Sequence, residues 1–142
     1  MQIGTQFSIA VHVLLVVEVF KGTHKVTSDL IASSVNTNPV IIRKIMGLLK
    51  EAGIIVITPG TGGIRLTRKP GKVSLLDIYR AIEPVKEGKL FKIHRDSEPA
   101  CPVGANIVRL LENHFLAAQT AMEKSLSKCS LQNLLNDLGQ EE

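Results

Sequence analysis

The stretch from Ile54 to Thr67 restricts the folds open to this chain more than any other. Ile54-Ile55-Val56-Ile57 is a β-branched run, Thr58-Pro59-Gly60-Thr61-Gly62-Gly63 is turn chemistry, and Ile64-Arg65-Leu66-Thr67 is a second short run of strand formers. The pattern predicts a β-hairpin with a glycine-rich tip. Glycine lets the backbone approach a phosphate or a narrow groove, because no side chain holds it off. A nucleotide-cradling loop is the competing reading. It fails because there is no Gly-x-x-x-x-Gly-Lys-Ser/Thr pattern and no helix opens at the last glycine.

Three helical segments precede the hairpin. Residues 6–20 carry Phe7, Ala10, Val11, Leu14, Leu15 and Val17 at three- and four-residue spacing, with Thr5 available as N-cap and Gly22 past the end. The valines would also suit a strand, but the segment is too long for a typical one. A second, short helix starts at Thr27 or Ser28, has Asp29 in its first turn, and ends near Val35. Asn38 then caps a third helix, with Pro39 at its first position, that runs to Ala52 and stops at Gly53. Its inner stripe is Ile42, Ile45, Met46, Leu49 and Ala52; Asn38, Val40, Ile41, Arg43, Lys44 and Gly47 fall on the other face. Two short helices joined by a polar turn read as a helix-turn-helix, an outline that any small bundle shares. The hairpin directly behind it makes the prediction a winged helix-turn-helix.

Charge sharpens that expectation. The chain has 142 residues and a formal charge of +4. Residues 1–72 hold nine basic side chains (Lys21, Lys25, Arg43, Lys44, Lys50, Arg65, Arg68, Lys69 and Lys72) against Glu18, Asp29 and Glu51, a net of +6. The remainder holds eight basic and ten acidic residues, a net of −2. A solubilising lysine surface accounts for the total but not for the split, which suits one half to a polyanion. Four Phe, one Tyr and no Trp leave too few rings for a single-strand stacking platform.

Beyond the hairpin, Ser74 caps an amphipathic helix that buries Leu75, Leu76, Ile78, Tyr79 and Ile82 and that Pro84 closes. Residues 84–102 read as a connection. From Val103 the pattern is helical, with Ile107, Leu110, Leu111, His114, Phe115, Ala118, Ala121, Met122 and Leu126 as an apolar stripe. A last helix follows from Ser130 to Leu138. The long stripe exceeds what the preceding unit can cover, so pairing with a second copy is expected over folding back on its own domain. The expected architecture is mainly α with a small β-hairpin. It comprises a winged helix-turn-helix domain (1–83), a connecting or sensor loop (84–102) and a helical dimerisation region (103–142). No secretory pattern opens the chain and no run spans a membrane, so a cytoplasmic protein is expected. Neither a Ser/His/Asp or Cys/His set nor metal-ligand spacing points to an enzyme or a metal site.

The sequence resembles the Rrf-two-type family of bacterial winged-helix regulators over most of its length. Phe7-Ser8-Ile9-Ala10, Ile31-Ala32, Ile41-Ile42-Arg43-Lys44-Ile45 and Val73-Ser74-Leu75-Leu76-Asp77-Ile78 carry the likeness. Its most specific part runs from Leu48-Leu49-Lys50-Glu51-Ala52-Gly53-Ile54-Ile55 into Gly62-Gly63-Ile64-Arg65-Leu66. The resemblance implies a transcription regulator, here expected as a repressor, that binds double-stranded operator DNA as a homodimer. Members holding an iron–sulfur cluster have three cysteines close together before the long helix. This chain has Cys101 there and Cys129 beyond the helix, so no cofactor is expected. An Arg-Gly pair common near the start of the wing is replaced here by Pro59-Gly60.

On that reading Arg43 and Lys44 are the candidates for base-edge contact, and Val40 and Ile41 for thymine methyls or plain surface exposure. Asn38 suits adenine, but capping occupies its side chain. Thr5, Ser8 and Ser28 are candidates for phosphate contact, with Thr61, Gly62 and Arg65 on the wing. Cys101, next to Pro102 near the expected helix start, is a candidate thiol sensor or a structural cysteine, and a small-molecule or redox effector is allowed for. His94 and His114 read as structural. The alternative function is a winged-helix protein-interaction module without specific DNA binding.

Overall fold

The computed structural model describes residues 4–59, 63–83 and 88–139. Helix α1 (Thr5–Phe20) is the central post, with Ala10, Val13, Leu14 and Val17 at helical spacing and fully buried. Helices α2 (Ser28–Val35) and α3 (Pro39–Glu51) pack against it and against each other. Asn36, left-handed at φ 62°, ends α2 by donating its N–H to Ala32 O, and the chain turns at once into α3. The inner face of α3 is Ile42, Ile45, Met46 and Leu49, all buried; Ala52, expected on that stripe, is instead the exposed C-cap.

Strands β1 (Ile55–Thr58) and β2 (Gly63–Leu66) form an antiparallel pair with Ile55 opposite Leu66 and Val56 opposite Arg65. Gly63 has φ +68°, and a Cβ there would sit 3.1 Å from Val26 O, so glycine suits both the backbone conformation and the close packing of this end of the wing on the α1–α2 turn. A short 3₁₀ turn (Pro70–Lys72) leads to α4 (Leu75–Ile82), whose Ser74 and Asp77 form a reciprocal capping box. Pro84, expected to close α4, lies outside the described residues.

The N-cap of α1 is Gly4, not Thr5. Gly4 N–H donates to the Glu83 carboxylate at 2.8 Å, so the end of α4 supplies from a distance an acceptor at the helix start where the Thr5 hydroxyl was expected. Phe7 meets Tyr79 edge-on at 5.5 Å across the same seam.

Helix α5 spans Ile107–Ser127 and starts later than the pattern from Val103 suggested. Residues 101–106 form turns, with Ala105 N–H donating to Cys101 O and Asn106 N–H to Val103 O. The Glu98 backbone lies so near Gly104 that a Cβ there would be 2.7 Å from Glu98 O, with the Ser97 side chain beside it. Helix α6 (Leu131–Leu138) returns to the first unit. Leu131 N–H donates to Val73 O at 2.9 Å, Leu75 N–H to Cys129 O at 2.8 Å, and Leu131 is fully buried in the α1 core. The stretch expected as one dimerisation region therefore contains a helix that completes the N-terminal core. Among the described residues no helix is long and apolar enough to cross a membrane.

Candidate nucleic-acid interface

Burying one side of α3 leaves the other in solvent by geometry, since 3.6 residues per turn put Val40, Arg43, Lys44 and Gly47 away from Ile42, Ile45 and Leu49. Val40 is 60% exposed and Ile41 lies beside it. Neither the Arg43 nor the Lys44 side chain forms a hydrogen bond or ion pair among the described residues. Two uncommitted cations on a short helix held rigidly from behind can meet acceptors on a groove floor. Asn38 Oδ1 accepts from Val40 N–H at 2.8 Å, so its oxygen serves as the cap.

At the start of α2 the capping hydroxyl is Thr27, which accepts from Leu30 N–H at 3.2 Å; Ser28 is the half-buried first helical residue. Thr5 and Ser8 are exposed on α1, one turn apart. Thr61 and Gly62 lie outside the described residues. Arg65 is exposed on β2 opposite Val56, which is itself exposed, while Ile64 next to it is buried. Arg68 is committed elsewhere: its Nε donates to Lys72 O at 2.9 Å and its Nη2 lies 3.4 Å from the Asp77 carboxylate, tying the wing to α4.

The fold also gathers residues that sequence reasoning missed. Lys21, Thr23, His24 and Lys25, in the α1–α2 turn, line a recess of about 320 Å³ together with Arg65. Lys21 reaches Glu18 at 2.9 Å, and Thr23 Oγ1 lies 2.9 Å from His24 Nδ1. The basic residues were visible in the N-terminal charge excess, but only packing of the wing base on the turn puts them beside Arg65.

Cys101 is exposed and Cys129 half-buried. Backbone N–H groups of Gly104, then of Val103, hold the Cys101 thiol below its ordinary pKa, against a smaller opposing effect of desolvation. The turn amides do this, not the N-terminus of α5, which begins six residues later at Ile107. His94 and His114 are both exposed. Among the described residues, no group of three or more His, Cys, Asp or Glu side chains is arranged to hold a metal ion.

The outward side of α5 is the other open surface. Gln119 is its one buried residue among those described, Leu110 is 47% exposed, and His114, Ala118 and Ala121 are exposed with it. Phe115, Met122 and Leu126 turn inward to half-burial. The single stripe expected from periodicity is thus divided between two sides of the helix.

Residues 3–137 match the Rrf2 family, described as "Iron-dependent Transcriptional regulator". YwnA of Bacillus subtilis, named an HTH-type transcriptional regulator, is 38% identical over 136 residues, which are 96% of this chain and 98% of YwnA. A crystal structure of a protein described as DNA-binding is 35% identical with a TM-score of 0.72, over 92% of this chain and 98% of that one. CymR, the global cysteine regulator of B. subtilis, shares the fold at a TM-score of 0.71 and 20% identity, over 96% and 97% of the two chains.

Proposed function

The chain belongs to the Rrf2 family of helix-turn-helix transcriptional regulators, and we propose that it is a cytoplasmic, homodimeric repressor that binds an inverted-repeat operator. The observation that carries this reading is the outward face of α3, where Arg43 and Lys44 stand unpaired on a helix whose opposite side is fully packed. Two such helices, presented by paired α5 helices, would enter successive major grooves about 34–36 Å apart. Arg43 and Lys44 read base edges, with Val40 and Ile41 against thymine methyls. Thr5, Ser8, Ser28, Asn38 and the wing residues Thr61, Gly62 and Arg65 contact phosphates or the flanking groove. The turn residues around Lys25 extend that positive track beside Arg65. Pairing through α5 is supported by Leu110, Ala117, Ala118 and Ala121, exposed together on one side of the helix.

The donor set around the connection does not suit an iron–sulfur cluster. Cys101 is the one cysteine there and belongs to no group of three or more His, Cys, Asp or Glu side chains placed to hold a metal among the described residues, and Cys129 lies past α5. On this reading the protein works without that cofactor. Cys101 is the redox sensor: its thiolate attacks a peroxide, forms a sulfenic acid and releases hydroxide, and the change beside α5 alters DNA affinity.

Selecting fragments of the parent genome on the purified protein, with and without peroxide, tests the whole reading. Fragments sharing an inverted repeat are expected, with binding that weakens steeply as salt rises. Retention of no preferred fragment, or binding indifferent to salt, points instead to a protein-interaction module. Because the Cys101 pKa is lowered, its thiolate persists to lower pH than in the unfolded chain and is lost as pH falls through the folded value. Alkylation of Cys101 in the native protein should therefore remain fast at a pH where the same thiol in urea has slowed. Equal pH profiles in the two states would remove the sensor.

A further inference from the structure

A cavity of about 270 Å³ lies between residues 89–95 and α5, apart from every residue assigned above to DNA. Half-buried Phe91, Ile93 and Phe115 form its floor, and the more exposed Val108 and Leu116 its apolar rim. Phe91 and Phe115 face each other at 5.3 Å between ring centroids with planes tilted by 33°. Lys89, Lys92 and Arg95 stand around it in solvent, against one lining carboxylate, Glu112. None of these four makes an ion pair among the described residues.

The walls are fixed. Gln119, buried at one end, accepts from Leu90 N–H through Oε1 at 2.8 Å and donates to Gly88 O through Nε2 at 2.7 Å. Its amide thus fastens the connecting segment to α5. A buried, doubly bonded amide holds geometry well, because releasing it would strand polar groups away from water.

The cavity also escapes the surface proposed for pairing. Val108, Glu112, Phe115 and Gln119 recur at helical spacing on one side of α5; Leu110, His114, Ala117 and Ala121 recur in the same rhythm two residues on. At about 100° per residue, that offset places the two sets on nearly opposite sides. A second copy can cover the latter and leave the former open.

We propose that this cavity binds a small organic carboxylate carrying an aromatic ring. A cavity of roughly 150 Å³ lined by apolar side chains accepts benzene, so the volume here admits one ring with a short acid arm. The Phe91–Phe115 pair offers the ring offset or edge contacts. Lys89, Lys92 and Arg95 attract the carboxylate at the mouth, where one charge beside Glu112 is easier to place than two. The binding claim stands on the cavity alone. That the ligand is the effector, altering DNA affinity through α5, rests on the regulator reading.

Calorimetric titration of the full chain with phenylacetate, 2-phenylethanol and acetate tests the claim. Saturable binding of one phenylacetate per chain is expected, with the neutral ring and the ringless acid each weaker by about tenfold or more. Lys92→Gln with Arg95→Gln, both on solvent-exposed residues, should weaken phenylacetate by a similar factor. Leu116→Glu, at a position 58% exposed, should abolish binding without unfolding the chain. Absence of saturable binding, equal affinity for 2-phenylethanol, or indifference to both variants would overturn the proposal. So would conversion of a dimer to monomer by Leu116→Glu, since the cavity would then belong to the partner chain. Operator binding by the ligand-free protein is measured separately; its loss sinks the regulator reading and leaves the cavity claim standing.

Discussion

The α1–α3 unit and helix α5 have a similar combined share of Val, Leu, Ile and Ala, yet they treat those residues differently. In the first unit, side chains at helical spacing disappear into one core: Leu14, Ile31, Ile42, Ile45 and Leu49 are fully buried. Along α5, whose one buried residue among those described is a glutamine, Leu110 and Leu116 remain in solvent. One region closes on itself. The other leaves apolar surface in water at a cost in free energy, which a partner or a ligand would relieve. Amphipathic periodicity marks both and does not distinguish them, so burial in the folded chain is the discriminating observation.

The sharpest test of that contrast uses α6, which joins the first region despite following α5. Leu131→Ala should cost about 2–5 kcal/mol in urea unfolding, whereas Leu138→Ala, at a residue 62% exposed, should stay within about 0.5 kcal/mol. Equal effects would show that α6 does not complete the core. Next in size, Leu110→Glu combined with Ala118→Glu should raise the dimer dissociation constant by about a hundredfold, ~2.7 kcal/mol. Sedimentation equilibrium reads this. A dimer that tolerates both carboxylates would place the pairing surface elsewhere.

Arg43→Ala should remove about 1–3 kcal/mol of operator affinity in fluorescence anisotropy and relax preference at one base pair. Its melting temperature should not move, because the side chain has no partner in the folded chain. A shift in stability without loss of DNA binding would make α3 an ordinary packing helix. The smallest effect belongs to a cap. Thr27→Ala should destabilise the first unit by about 1 kcal/mol through the lost bond to Leu30 N–H, with no change in dimer affinity.

Local chemistry made much of the first region readable. Asn38-Pro39 announces the start of α3 because a side-chain acceptor and a missing N–H both suit a helix N-terminus. The Ser74–Asp77 spacing marks α4 similarly, and the β-branched runs around a glycine-rich turn mark the wing. The helix-turn-helix family was legible from the same stretch. Less was legible where distant segments meet. Glu83 serving the first turn of α1, Arg68 held by Asp77, and the Lys21–Lys25 turn lying beside Arg65 are each contacts between remote positions that no local pattern encodes.

Cys101 shows the boundary clearly. Its candidacy came from standing beside Pro102 near an expected helix start, yet Gly104 and Val103 amides in a turn are what stabilise its thiolate. That turn is held by hydrogen bonds from Cys101 N–H to Glu98 O and from Ala105 N–H to Cys101 O, with residues 97–98 lying against Gly104.

Sequence alone determined the elements, their order, the sign of charge in each half and the face of α3 left to solvent, because periodicity, caps and turn residues act within a few positions of themselves. Tertiary structure alone decided that α6 closes the first core, that the α5 stripe divides between two sides, and that Gln119 fastens a cationic cavity shut at one end. Those outcomes depend on which surfaces exclude water together, a property of the whole packed chain that no window of residues contains.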